Sequence, residues 1–271
     1  MAGQRRRLDA ELVRRKIARS RERAVEMIKG GRVTVNGFAA TKPATMVDGD
    51  ISIRVEHAAD DEWASRGAHK LLGAIDAFGI DFAGKRVLDA GASTGGFTDV
   101  ALRAGAREVV AVDVGYGQLA WRLQSDERVR VQDRTNVRRL EPETIGGPCD
   151  MMVGDLSFIS LRLVLPAIVK CLHPNATLFP MVKPQFEVGK ERLGKGGVVR
   201  SPQLRAEVTR DIADFAAELG LSCRGVAASP LPGPSGNVEY FLSLVADDGA
   251  SHPGDDELAT MICSAIEEGP Q

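Results

Sequence analysis

Residues 87–98, Val-Leu-Asp-Ala-Gly-Ala-Ser-Thr-Gly-Gly-Phe-Thr, constrain this chain more than any other stretch. An apolar run ends on an acid, a glycine-rich turn follows, and a helix-compatible segment opens near Phe97. Glycine takes dihedrals closed to other residues and lets a ligand approach the backbone. Strand, tight turn and helix form the opening unit of an open α/β sheet, in which ligands bind beyond the carboxyl ends of the strands. Two common ligands do not fit the spacing. The glycines fall at Gly91, Gly95 and Gly96, not in a G-x-G-x-x-G dinucleotide pattern, and Phe97 stands where a P-loop would need lysine.

Asp89, two residues before the first glycine, is the acid an S-adenosylmethionine loop would carry. A second acid, Asp113, ends the next apolar run at a distance suited to a ribose diol. Together they point to S-adenosylmethionine as cofactor, with Asp89, Gly91, Ser93, Thr94, Gly95, Gly96 and Phe97 forming the loop. Ser93 and Thr94 are expected to meet either the amino-acid end of the cofactor or only the loop itself, and Asp133, after the third strand, its adenine.

From Gly84 onward, strands and helices alternate as in a doubly wound parallel sheet. Strands are expected at 86–90, 108–113, 129–132, 150–155, 177–182, 222–228 and 237–245. Helices are expected at 97–104, 118–123, 161–172, 202–219 and 257–267, with another beginning in 65–74 ahead of the first strand. The run Pro230 to Gly236 feeds directly into the last apolar strand, which implies a closing hairpin. This is the α/β sheet of a Class I (Rossmann-like) methyltransferase, assigned to residues 65–271.

Charge separates the rest. The formal net charge is −2 over 271 residues, yet residues 1–32 carry a net +7 and residues 247–271 hold seven acids and no Lys or Arg. A concentrated basic segment suits a polyanion. Leu8, Leu12, Ile17, Ala24, Val25 and Ile28 have helical spacing as an inner face, Ser20 is a helix cap, and Asn36-Gly37 is a hairpin turn. Residues 1–55 therefore read as a small α+β module. Residues 56–64 break both periodicities and read as an acidic linker, with Trp63 packing on a domain face. No apolar run reaches the roughly 20 residues of a membrane span, no secretory segment follows the basic start, and a cytoplasmic protein is expected. The four cysteines are scattered and the four histidines lack ligand spacing; no metal site is expected.

Polar groups recur where strands end: Asp155 after the fourth, Lys183 after the fifth, and Glu239 at the start of a last strand which, if antiparallel, begins where the others finish. Lys70 comes from the preceding helix. Two lysines and two carboxylates suit removal of a proton from a weakly acidic hydroxyl, with Lys183 the proton acceptor. Each could instead be half of an ordinary salt bridge. Arg134 and Arg138 are positioned for phosphates, and Lys190 lies in a basic glycine-rich loop at 189–197 that is either a plain solvated loop or an RNA clamp.

Two resemblances follow. Arg7-Leu8-Asp9, Ser20-Arg21, Val33-x-Val35-Asn36-Gly37 and Lys42-Pro43 resemble the alpha-L RNA-binding motif, with Lys16 where many members have glycine. The motif implies RNA contacts by Arg5, Arg6, Arg7, Arg19, Arg21 and Lys42. The runs at 65–71, 88–98, 113–119, 155–160, 182–187 and 232–239 resemble the TlyA (haemolysin A-like) family of ribosomal RNA 2′-O-methyltransferases. That resemblance implies methylation of cytidine 2′-hydroxyls in rRNA of the small subunit and, in mycobacterial-type members, the large subunit. It implies a catalytic tetrad of Lys70, Asp155, Lys183 and Glu239 and a link to capreomycin sensitivity. Arg66 is a further candidate for RNA contact, a two-domain chain suits assembled ribosomal subunits as partners, and a monomer is the default expectation. Rival expectations are an inactive RNA-binding or assembly factor, a membrane-active haemolysin and a small-molecule methyltransferase.

Overall fold

A computed structural model describes residues 5–15, 17–18, 20–55, 63–194, 196–246 and 252–270. The chain divides into two compact units, Met1–Glu62 and Trp63–Gln271.

The first unit runs β1 (Arg6–Arg7), α1 (Leu8–Arg14), α2 (Arg21–Lys29), β2 (Val33–Val35), β3 (Phe38–Ala39), β4 (Met46–Val47) and β5 (Ile53–Val55). Ser20 caps α2, its Oγ accepting from the Arg23 amide at 3.1 Å. Asn36 and Gly37 take φ of 50° and 84°, the left-handed pair that a two-residue hairpin between β2 and β3 requires. Leu8, Leu12, Ala24, Met27, Ile28, Val33 and Val47 form the core. Ile17 and Val25 depart from the expected inner face: Ile17 is 36% exposed and Val25 half-buried. Helix α1 stops at Arg14, so the helical spacing does not extend to Ile17, and Met27 takes the inner position one turn from Ala24. Two acids on α1 are buried, Asp9 and Glu11. Asp9 accepts from Arg7 at 2.8 Å and Arg21 at 3.2 Å, and Glu11 from Arg14 at 2.6 Å and Arg15 at 2.8 Å. The Arg7 and Arg14 guanidinium groups foremost hold these carboxyls at about 2, against burial.

The second unit opens with α3 (Ala68–Phe78), β6 (Arg86–Ala90), α4 (Gly96–Arg103), β7 (Glu108–Val112), α5 (Trp121–Gln124) and β8 (Val129–Gln132). It continues with α6 (Pro142–Ile145), β9 (Cys149–Gly154), α7 (Leu165–Lys170), β10 (Leu172–Val182) and α8 (Pro184–Glu187). It closes with α9 (Pro202–Glu218), β11 (Leu221–Ala228), β12 (Tyr240–Ala246) and α10 (Asp255–Glu268). The sheet order is β11-β12-β10-β9-β6-β7-β8. Only β12 runs antiparallel to its neighbours. Strand side chains alternate between faces. Leu88, Val110, Met152, Leu178 and Leu242 join α7, α9 and α10, whereas Val87, Val109, Val153, Phe179 and Phe241 pack on α3 and α4. The sheet and its register thus bear out the Class I methyltransferase expectation.

Four elements differ from expectation; the first is β10, expected at 177–182, which begins at Leu172 where that residue pairs with Cys149, ahead of an irregularity in the ladder. The helix expected at 118–123 is the single turn α5, because the loop before it is pinned by side chains: Asp113 accepts from the Gly115 amide at 2.7 Å and Asp133 from the Gly117 amide at 2.8 Å. The helix expected at 161–172 is a 3₁₀ turn, Leu161–Leu163, followed by α7; Pro166 has no N–H to continue the earlier turn. The last strand starts at Tyr240 rather than 237, since the Asn237 side chain binds the 197–199 loop, accepting from the Val199 amide and donating to the Gly197 carbonyl, both at 2.9 Å. Trp63 and Ala64, assigned to the linker by sequence, belong to the second unit. The Ala64 amide donates to Asp99 at 2.8 Å, and the Arg103 guanidinium lies 4.3 Å from the Trp63 ring centre. The remaining linker residues, 56–62, lie outside the described residues, as do Lys16, Arg19 and Lys195.

Candidate active site

Register brings the site together. Ala90 pairs with both Val112 and Gly154, Gly154 with Pro180, and Val182 with Tyr240. Gly91, Asp113, Asp155, Lys183 and Glu239 consequently follow or precede paired positions along one sheet edge. Helix α3 brings Lys70 to that edge: its ammonium lies 2.7 Å from Glu239 Oε2 and 3.3 Å from Asp155 Oδ2. Lys183 Nζ lies 2.6 Å from Asp155 Oδ1 and 3.9 Å from Glu239 Oε1, and donates to Ser157 Oγ at 2.8 Å. Gln185 adds an amide donor to Glu239 at 3.4 Å.

The four charged side chains are mostly sequestered; Glu239 is fully buried. Two cations and two carboxylates balance, which is the condition for burying them. Burial opposes the Lys70 charge, but Asp155 and Glu239 overcome it and leave its pKa above the ordinary lysine value. Burial likewise opposes ionised Asp155, and Lys183 and Lys70 hold it below the usual carboxylate range.

Beside this cluster lies a cavity of about 540 Å³, of ordinary size for a nucleotide-sized ligand. Gly91, Ser93, Thr94, Gly96 and Phe97 line it, with Lys70, Asp155 and Arg66. Gly91 takes φ +87°, and a Cβ there would sit 3.2 Å from the Asp155 carbonyl oxygen. Asp89, Gly95, Asp113 and Asp133 are not among the lining residues. Asp89 is buried, its Oδ2 accepting the Thr98 hydroxyl at 2.6 Å. Burial pushes its carboxyl up to about 7, and Asp155 and Asp113 push the same way. Asp113 accepts from the Ser93 amide at 2.8 Å as well as from Gly115, which ties the glycine loop to the end of β7. Gly95 caps α4 at φ +94°. A cavity walled by the glycine loop, with Ser93, Thr94 and the Asp155 carboxylate in its lining, fits a nucleoside cofactor with an amino-acid tail.

Sequence reasoning passed over Ser65, Gly67, Ser157 and the Leu231 to Pro234 segment as site residues, although all line the cavity. The density of proline and glycine at 230–236 was the available signal. A Cβ on Gly233 would sit 2.6 Å from Glu239 Oε1, so this loop lies directly against the buried acid.

The residues expected to meet RNA divide by environment. Lys42, Arg66, Arg138 and Lys190 are exposed. Arg5 reaches Asp48 at 3.5 Å, Arg7 and Arg21 share Asp9, and Arg6 is half-buried. Arg134, with φ +53°, lies 4.2 Å from the centre of the exposed Tyr116 ring. Among the described residues, no group of His, Cys, Asp and Glu could hold a metal ion and no helix is long and apolar enough to cross a membrane.

Fold and site define an S-adenosylmethionine-dependent methyltransferase. Residues 63–246 match the FtsJ-like methyltransferase family and residues 6–50 the S4 domain. The 16S/23S rRNA (cytidine-2′-O)-methyltransferase TlyA of Mycobacterium tuberculosis is 57% identical over 97% of this chain and 98% of its own. Hemolysin A of Brachyspira hyodysenteriae is 34% identical over 83% and 94%. A solved structure described as a hemolysin, from Streptococcus thermophilus, superposes with a TM-score of 0.75 at 34% identity, covering 98% of each chain. The chain belongs to the TlyA family, within the FtsJ-like methyltransferases.

Proposed function

We propose that this enzyme methylates cytidine 2′-hydroxyls in ribosomal RNA of the small and large subunits. The observation that carries the reading is the charge-balanced Lys70–Asp155–Lys183–Glu239 cluster at the edge of the glycine-loop cavity. The TlyA relative named for that reaction supports the substrate, and the S4 match and the basic first unit support an RNA partner.

S-adenosylmethionine, when bound, supplies an electrophilic methyl group. Gly91, Ser93, Thr94, Gly96 and Phe97 would hold it, with Asp113 fixing the loop. A ribose 2′-hydroxyl is a weak acid, so its proton must leave as the oxygen–methyl bond forms. Lys183, once its ammonium has released its own proton to solvent, takes that proton at Nζ. Asp155 stabilises the ammonium so formed, and Lys70, kept charged by Asp155 and Glu239, anchors Asp155. The product ribose bears a 2′-O-methyl group. The enzyme acts as a cytoplasmic monomer on assembled subunits, and its loss lowers sensitivity to capreomycin.

The test is methyl transfer from labelled cofactor to subunits lacking the modification, mapped by resistance to alkaline cleavage. Wild type should modify discrete riboses. Lys183→Ala should lose about 10³-fold or more in rate while still binding cofactor. Transfer to a base nitrogen instead of a ribose, or an unimpaired Lys183→Ala enzyme, contradicts the reading.

A further inference from the structure

We propose that Ser157 is a positioning residue for methyl transfer: its hydroxyl oxygen accepts an N–H of Lys183 and aims the amine's remaining position at the ribose hydroxyl. The inference rests on Lys183 being the proton acceptor and adds how that amine is oriented. A primary amine nitrogen has three positions besides its carbon. Ser157 Oγ takes one of them through a hydrogen bond at 2.8 Å, whereas Asp155 Oδ1, 2.6 Å away, is an ion-pair partner without hydrogen-bond alignment. Glu239 Oε1, at 3.9 Å, is beyond hydrogen-bonding distance. In the neutral amine the Ser157 hydrogen bond thus directs one N–H, the Asp155 carboxylate draws the other toward it by charge alone, and the lone pair takes the remaining position. After proton transfer the same three positions hold three N–H bonds, so the amine keeps its orientation through the step.

The serine is held where this requires. The Asp155 carbonyl lies tight against Gly91, where a Cβ would be 3.2 Å away. Phe158 takes φ +63° and its ring lies 5.3 Å from that of Phe186. Glu187 accepts from Ser160 Oγ at 2.6 Å and from the Leu161 amide at 2.9 Å. Phe186 and Glu187 follow Lys183 within four residues, so one short segment carries the lysine and clamps the serine loop. Ser157 also faces the cavity, and its hydroxyl hydrogen has no acceptor among the described residues, leaving it free to point at a ribose oxygen. Ser157 is exposed, so Ser157→Ala removes no buried side chain.

The experiment compares Ser157→Ala, Ser157→Thr, Lys183→Ala and Ser157→Ala/Lys183→Ala in single-turnover methyl transfer to unmodified subunits, with cofactor affinity measured by calorimetry. Ser157→Ala should lower the rate about 10- to 100-fold, the cost of a misaligned reacting group. Subunit KM and cofactor Kd should stay as in wild type, and threonine, which keeps the acceptor, should restore most of the rate. The double variant should be no slower than Lys183→Ala. A Ser157→Ala enzyme as fast as wild type overturns the proposal, as does a loss confined to KM or Kd, a threonine variant as slow as alanine, or a further loss in the double variant. If Lys183→Ala retains full activity, the reading of Lys183 itself has failed; if only the serine variants behave otherwise than expected, that reading stands and the positioning role falls.

Discussion

At the scale of single residues, the buried acid of the glycine loop makes a measurable demand. The folded protein pushes Asp89 from 3.8 up to about 7, so between these values the native state keeps a proton that the unfolded chain gives up. Stability therefore falls as pH rises through that window, by on the order of 4 kcal/mol if Asp89 acts alone. Urea unfolding at pH 5 and pH 8 covers the part of the window above pH 5 and should show a loss of about 3 kcal/mol in wild type, with a flatter dependence in Asp89→Asn; equal slopes in the two proteins would rule Asp89 out as its source. Asp89, Asp155, Lys183 and Glu239 were legible in the sequence because each stands at the limit of an apolar run, where a polar residue is conspicuous. Ser157 was not, since a serine after a strand has many ordinary uses and only the 2.8 Å contact with Lys183 distinguishes this one.

At the scale of elements, close packing of α3 on α4 places Lys70, and Gly96 permits it. A Cβ on Gly96 would come 2.9 Å from the Ala68 amide nitrogen and 2.5 Å from Ser65 Oγ. The serine side chain can turn away, but the backbone at the start of α3 cannot without moving the helix that carries Lys70. Gly96→Ala should cost about 1–3 kcal/mol, as overpacking does, and lower methyl transfer beyond what lost folded protein explains. Gly49→Ala, where no atom lies within 4 Å, is the control, and thermal melts with rates per folded molecule decide between them. Glycine spacing announced the loop but not this second use, which depends on a helix whose first residue, Ala68, stands 28 positions before Gly96. The long strands were readable from apolar runs. The α5 turn was not, because side chains of Asp113 and Asp133 override the local helical pattern, and the reach of α1 was overestimated because nothing in the spacing marks its end at Arg14.

At the scale of the whole molecule, the basic excess of the first 32 residues overstates the charge free to meet a polyanion. Arg14 and Arg15 are committed to buried Glu11, and Arg7 and Arg21 share buried Asp9; composition counts these arginines without revealing that they neutralise acids inside their own unit. Lys42 and Arg138 are exposed, one in each unit, and neither has an ion pair among the described residues. Each phosphate neutralised by such a side chain releases counterions and steepens the salt dependence of binding. For binding to ribosomal subunits, Lys42→Ala and Arg138→Ala should each weaken affinity and reduce the slope of log K against log salt by about 1, with melting temperature unchanged. Arg14→Ala should do the reverse. It deprives the buried Glu11 of its 2.6 Å partner, so the first unit should melt earlier while the salt slope at temperatures where it stays folded is kept. A slope reduced by Arg14→Ala and untouched by Lys42→Ala would invert this division and assign the acid-paired arginines to the RNA.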